Sequence, residues 1–197
     1  MVNECNGMDR REAVRILLAE RKNTLVVTGL GSPSYDVHAA GDADSTCYLW
    51  GAMGAAALVG LGLAQAQPGH RVLVITGDGE QLMGFGGLAT IAVAAPRNLD
   101  IIVLDNEHFG ETGMQVSHTG RGIALDRIAA AAGFAETGVF HHLDALRQLA
   151  NRLQQAAQGP RLFVLKIKAE NLPRSLPPRD AVFIKNRFRA HLGFMPC

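Results

Sequence analysis

Gly77-Asp78-Gly79-Glu80 closes one apolar run, Arg71–Thr76, and Asp105-Asn106 closes another, Leu99–Leu104. If the two runs are neighbouring buried strands, their ends bring a carboxylate, Asp78, and an amide oxygen, Asn106, to one place. With the backbone carbonyl of His108 they would offer three oxygen ligands to a hard cation such as Mg²⁺, which commonly leaves its other positions to phosphate oxygens and water. Gly77 and Gly79 free the backbone to turn sharply and approach a phosphate. A helix beginning near Leu82 would add unpaired amides and its positive dipole end. The pattern predicts a site for a metal-bridged diphosphate. Either turn alone is a common structural feature, so the reading rests on the two together.

The elements that must position these residues alternate along the chain. Thr24–Thr28, Arg71–Thr76, Leu99–Leu104 and Arg161–Ile167 are short, nearly continuous apolar runs, as a parallel sheet covered on both faces requires. Helices are predicted at Arg10–Arg21, where Asp9 can cap, and at Gly54–Ala66, Leu82–Ala94, Ala124–Ala132 and Leu143–Ala157. Leucines at 143, 146, 149 and 153 share one face of the last helix. Alternation of this kind predicts an open α/β sheet of right-handed βαβ units. Ligands in such sheets bind beyond the carboxyl ends of the strands, where both motifs fall.

Composition narrows the function classes. The chain has 197 residues, 48% hydrophobic and 19% charged, enough for one sizeable domain. A net charge of +1 gives no electrostatic case for nucleic acid or an anionic membrane as partner. Cys5, Cys47 and Cys197 are odd in number and lack metal-ligand spacing, so free thiols and a reducing, cytoplasmic setting are expected. The N-terminal residues have no apolar core of a secretory signal. Gly51–Ala66 is too short to span a bilayer, so a closely packed internal helix is expected there. The segment 171–197, with Pro173, Pro177, Pro178 and Pro196, reads as an irregular arm packing on a neighbour.

Gly77-Asp78-Gly79 with Asp105-Asn106 resembles the signature of thiamine-diphosphate enzymes, a GDG followed further along by Asn-Asn. Here the first Asn is replaced by Asp105. Leu49-Trp50-Gly51-Ala52-Met53-Gly54 is similar to the segment that touches the aminopyrimidine ring in the decarboxylases of that family. The GDGE…LATIA and LDNEHFGETGMQ…HT runs extend the resemblance over about residues 8–169. They resemble most the sulfopyruvate decarboxylase β subunits and the C-terminal part of phosphonopyruvate decarboxylases.

That resemblance implies a three-layer αβα fold with a mainly parallel central sheet, the diphosphate-binding (PP) domain of the family, over residues 1–170. It implies thiamine diphosphate and Mg²⁺ as cofactors, with Asp78, Asn106 and the His108 carbonyl on the metal. Gly51 would offer its carbonyl to the ring amino group, and Met53 would hold the cofactor bent. Gly77, Gly79, Glu80, Phe109 and Gly110 would complete the cofactor site, with Glu80 turned away from the diphosphate or ordering a neighbouring loop. Glu111, Thr112, Gln115 and His118 lie on the loop after the metal ligands, where they could face the reacting carbon. The activity implied is decarboxylation of a small anionic 2-oxo acid to an aldehyde and CO2. An acetolactate-synthase-like carboligase, an oxidative 2-oxo acid enzyme subunit and a non-catalytic partner subunit are the alternatives. A pyrimidine-binding α subunit would have to supply the glutamate that activates the cofactor, so a hetero-oligomer is expected.

Overall fold

A computed structural model describes residues 7–195. Six parallel strands form one sheet in the order β2-β1-β3-β4-β8-β7. Its members are β1 (Thr24–Thr28), β2 (Thr46–Tyr48), β3 (Arg71–Gly77), β4 (Leu99–Asp105), β7 (Glu136–Phe140) and β8 (Arg161–Lys166). A two-stranded ribbon, β5 (His108–Phe109) with β6 (Gln115–Val116), stands apart. The four strands expected from apolar runs are all present. β2 is three residues long and β7 is only partly buried at the sheet's edge, so neither left an apolar run to read.

Residues alternate along the central strands to build two cores. Leu73 and Ile75 of β3 and Ile102 and Leu104 of β4 face α1 (Arg10–Leu18), α2 (Ser32–Ala39) and α7 (Leu143–Leu153). Val72 and Val74 with Ile101 and Val103 face α3 (Ala56–Ala66), α5 (Gly87–Ala94) and α6 (Leu125–Ala132). This is the three-layer αβα arrangement expected from the pattern of runs. Gly60 explains the glycine content of α3: a Cβ there would fall 2.3 Å from Val74 Cγ2, so only glycine lets this helix lie so near the sheet. Among the described residues, no helix is long and apolar enough to cross a membrane. Cys47 is a free thiol, and Cys5 and Cys197 lie outside the described residues.

Two expectations need correction. The helix expected at Leu82–Ala94 is two pieces, α4 (Asp78–Met83) and α5, separated at Gly84-Phe85-Gly86. The first piece therefore starts on Asp78 itself, directly off β3. The arm beginning at residue 171 is not irregular throughout, because Ala181–His191 forms α8. Asp180 caps it, its Oδ1 accepting from the amides of Val182 at 2.9 Å and Phe183 at 3.1 Å. Proline density masked that signal. The arm also packs on its own chain, where Trp50 Nε1 donates to the Pro178 carbonyl at 2.6 Å and Arg187 pairs with Asp42 at 2.7 Å. Ile184 and Phe188 are buried as α8 lies beside β2.

A charged group is buried at the other end of the sheet from Asp78. Asp100 of β4 and Arg161 of β8 are register partners, each 2% exposed. Arg161 donates from Nε at 2.5 Å and Nη2 at 3.0 Å, and Arg71 adds a third bond at 2.5 Å. Arg161 also donates to the carbonyls of Arg152 and Leu153 and so ties down the end of α7. Removing one partner of such a pair strands a charge out of water. Asp100→Ala should therefore cost about 3–5 kcal/mol, read as a fall in the urea midpoint. A midpoint within experimental error of the parent would contradict this assignment.

Candidate functional site

A cavity of about 280 Å³ opens at the carboxyl ends of β3 and β4. It gathers most of the residues singled out from the sequence: Met53, Gly77, Asp78, Gly79, Glu80, Asn106, His108, Phe109, Gly110, Glu111 and Thr112 line it. Arg10, Ser32, Pro33, Leu104 and Ile167 complete much of the remaining wall. Gly51 and His118 are not lining residues. Gly51 lies on the exposed loop before Met53, and the exposed His118 ring packs edge-on against Phe109 with centroids 6.0 Å apart. Gln115 pairs with Thr112, donating from Nε2 to its carbonyl at 2.9 Å.

Asp78 is 3% exposed, at the first position of α4. Its Oδ2 accepts from Ser117 Oγ at 2.5 Å and Thr119 Oγ1 at 3.1 Å. Burial pushes its pKa up to about 6, the nearby Asp105 charge adds to the rise, and the two hydroxyls oppose it. A cation beside this carboxylate would reverse the balance by supplying the missing opposite charge. Asn106 Oδ1 accepts from the His108 amide at 3.0 Å, which curls the chain and puts the His108 peptide beside the amide oxygen. Among the described residues, no three His, Cys, Asp or Glu side chains are grouped to hold a metal. The oxygen set expected here instead comprises one carboxylate, one amide oxygen and one backbone carbonyl.

Asp105 is buried where the family signature has an amide. Its Oδ1 accepts from Thr119 Oγ1 at 2.7 Å and from the Glu107 amide at 3.0 Å. Its Oδ2 accepts from Lys166 Nζ at 2.7 Å, and Lys166 also bonds Glu107 Oε1 at 2.7 Å. The extra negative charge therefore has its own cation, contributed by the end of β8. Thr119 Oγ1 lies between the two aspartates, with one proton to give to either. Ser117, Thr119 and Lys166 were missed in the sequence, although the hydroxyls flank His118; nothing in the spacing announces a contact between Lys166 and Asp105.

Glu80 orders loops, as one of the two expectations had it. It is buried, and its Oε2 accepts from the Leu30 amide and from Thr76 Oγ1, both at 3.0 Å. A Cβ on Gly29 would fall 1.8 Å from that oxygen, so the carboxylate needs a glycine opposite. Burial raises its pKa, while Thr76 and the amides of Leu30, Ala56 and Gly54 partly restore the charge. One side chain thus ties the loop after β1 and the loop bearing Met53 to the end of β3. Gly54, at φ 86°, sits so near Gly84 that a Cβ on Gly84 would fall 2.0 Å from the Gly54 carbonyl. Ala52, Glu107 and Met114 also have φ near +60° and flank the same cavity loops. Strain collected in this way marks loops held in place for a purpose.

A parallel αβα sheet whose adjoining strand ends form a crevice with an acidic turn and glycines is an α/β fold that seats ligands beyond the carboxyl ends of its strands. The family described as "Thiamine pyrophosphate enzyme, C-terminal TPP binding domain" matches residues 34–167. The chain belongs to that family. It is 39% identical over 181 residues to the sulfopyruvate decarboxylase subunit beta of Methanothermobacter thermautotrophicus, covering 92% of this chain and 94% of that one. The phosphonopyruvate decarboxylase of Streptomyces viridochromogenes is 37% identical over 190 residues, covering 95% of this chain but 47% of that protein. Among solved structures, benzoylformate decarboxylase from Polynucleobacter necessarius superposes with a TM-score of 0.70 at 18% identity, over 88% of this chain and 36% of that one. The thiamine diphosphate-dependent 4-hydroxybenzoylformate decarboxylase of Rhodococcus jostii gives 0.69 at 18% identity, over 85% of this chain and 34% of that one. These two establish the shared fold.

The residues present fit a thiamine diphosphate cofactor. A Cβ on Gly77 would stand 3.9 Å from Pro33 Cγ, an ordinary contact, whereas one on Gly79 would meet Phe109 at 2.9 Å. The Gly79 backbone is thus held close to an aromatic wall of the cavity. Met53 lines the cavity while 54% exposed. The volume is small for a site enclosing a whole cofactor. The Asp105–Lys166 pair gives a direct check. Lys166→Met should destabilise the chain by about 3 kcal/mol, and Asp105→Asn in the same background should restore most of it, measured as a double-mutant cycle in urea. Additive losses in the double variant would show that Lys166 does not neutralise Asp105.

Proposed function

We propose that this chain is the β subunit of a thiamine-diphosphate- and Mg²⁺-dependent decarboxylase acting on a 2-oxo acid of the sulfopyruvate or phosphonopyruvate type. The observation that carries the reading is the cavity in which Asp78, Asn106, His108 and the Gly77–Gly79 backbone meet. The near full-length match to named β subunits supports the subunit assignment. Bound thiamine diphosphate supplies a nucleophilic carbon and an electron sink for the departing carboxylate.

The chain's own residues bind and orient. Asp78, Asn106 and the His108 carbonyl would hold Mg²⁺, which would neutralise diphosphate charge, and the first-turn amides of α4 lie at the same strand end. Ser117 and Thr119 fix the Asp78 rotamer, so the carboxylate is in place before the ligand arrives. Met53 supports the cofactor from the open side, and Gly51 offers its carbonyl to the ring. Glu111 and Thr112, already at the cavity wall, meet the substrate's side of the site. His118, packed edge-on against the cavity-lining Phe109, would act on the substrate from beside that ring. A pyrimidine-domain α subunit supplies the glutamate that activates the cofactor and completes the hetero-oligomer.

The test is to combine the chain with its pyrimidine-domain partner, thiamine diphosphate and Mg²⁺, and to follow CO2 release from sulfopyruvate and phosphonopyruvate. The parent should turn over at least one of them. Asp78→Ala or Asn106→Ala should lower Mg²⁺-dependent cofactor affinity by about 100-fold or more, with the far-UV circular dichroism unchanged. Cofactor affinity equal to the parent's in both variants would remove the metal assignment.

A further inference from the structure

Gly51, Ala52 and Met53, which include the two residues proposed to meet the cofactor's ring, form an exposed loop with little support of its own. A Cβ on Gly51 would meet nothing within 4 Å. The loop closes one turn bond, from the Ala55 amide to the Ala52 carbonyl at 2.9 Å. Ala52 is held at φ 55°, a left-handed conformation that persists only where the surroundings impose it. The loop's position therefore depends on the anchors at its two ends. One is Gly54, packed against Gly84 and drawn to the Glu80 carboxylate. The other is Trp50.

Trp50 lies two residues past the end of β2 and is held chiefly by the C-terminal arm. Its Nε1 donates to the Pro178 carbonyl at 2.6 Å, and the Arg179 guanidinium lies 5.4 Å from the centre of its ring. The buried Tyr35 of α2 packs against the same indole, ring centres 6.3 Å apart. Residues 171–180 have no regular secondary structure, so side-chain ties place the arm. Ser175 Oγ bonds His38 Nδ1 at 2.8 Å, Arg11 donates to the Pro173 carbonyl, and the Arg174 guanidinium lies 5.7 Å from the centre of the Tyr35 ring. The rings of Pro177 and Pro178 fix φ at both residues, so the acceptor for Trp50 is presented with little backbone entropy left to lose.

We infer that Trp50 is a positioning residue for the ring end of the cofactor: residues 173–180 hold its indole, and the indole sets where the Gly51 carbonyl and Met53 stand. This inference rests on the thiamine-diphosphate reading of the cavity. Among the described residues, no hydrogen bond or ion pair joins residues 173–180 to Gly77, Asp78 or Asn106. The arm thus acts on one end of the cofactor and leaves the diphosphate end alone.

The chain combined with its pyrimidine-domain partner is titrated by isothermal calorimetry with thiamine diphosphate plus Mg²⁺ and with inorganic pyrophosphate plus Mg²⁺, which has no ring. Three forms are compared: the parent, Trp50→Phe, which keeps an aromatic ring but removes the N–H, and Arg179→Gln. Arg179 is exposed, so the last variant reads the arm's hold without disturbing the packing of Trp50. Trp50→Phe should weaken thiamine diphosphate binding about three- to tenfold, the worth of one neutral hydrogen bond, and leave pyrophosphate affinity at the parent's value. Arg179→Gln should shift the same ligand in the same direction by a smaller factor. An equal loss for both ligands, or parent-like affinity for both in the two variants, would overturn the inference while leaving the cofactor reading standing. Failure of the parent to bind thiamine diphosphate would overturn both.

Discussion

Asp78 is a carboxylate carried out of water by the last step of a buried strand, and the surrounding architecture is arranged around that charge. Among the described residues its Oδ2 accepts from two neutral hydroxyls, and burial raises its pKa in spite of them. Neutral donors are a weak answer to a buried charge, whereas a divalent cation with phosphate behind it is a strong one. The parallel sheet makes this arrangement available: β3 and β4 are adjacent and in register, so Gly77 lies beside Leu104 and the two turns that follow share one crevice. No antiparallel pairing would leave both strand ends on the same side.

The charges around the site are partitioned. Asp105 is neutralised by Lys166 from β8, Glu80 is spent on loop amides, and Glu111 pairs with Arg174 from the arm. Asp78, the carboxylate proposed for the metal, is left with hydroxyl partners. Replacing the family's asparagine by Asp105 is tolerable because Lys166 sits at the matching register position, Asp105 opposite Lys166 in the β4–β8 pairing. The departure from the pattern is thus compensated within the fold.

Strand cores and strand-end motifs were legible in the sequence because both are local: an apolar run, then a glycine and an acid. Contacts between distant elements were not. Lys166 and Asp105 lie 61 positions apart, and Arg10 meets a cavity whose other walls come from five later segments. The helix Ser32–Ala39 was missed because its Ser-Pro-Ser-Tyr-Asp start shows no apolar stripe, and the break at Gly84–Gly86 was missed because the flanking residues stay apolar. Glu80 was read as turned from the diphosphate or ordering a loop, but its partners across the cavity became visible only in the fold.

The proposed cofactor site gives the account a sharp test. A crystal structure of the chain with thiamine diphosphate and Mg²⁺, in complex with its pyrimidine-domain partner, reads the central claim directly. The account predicts a cation about 2.0–2.1 Å from Asp78, from the Asn106 amide oxygen and from the His108 carbonyl, bridging to a diphosphate over Gly77–Gly79. A cation without contact to Asp78, or a diphosphate seated away from that turn, would contradict it.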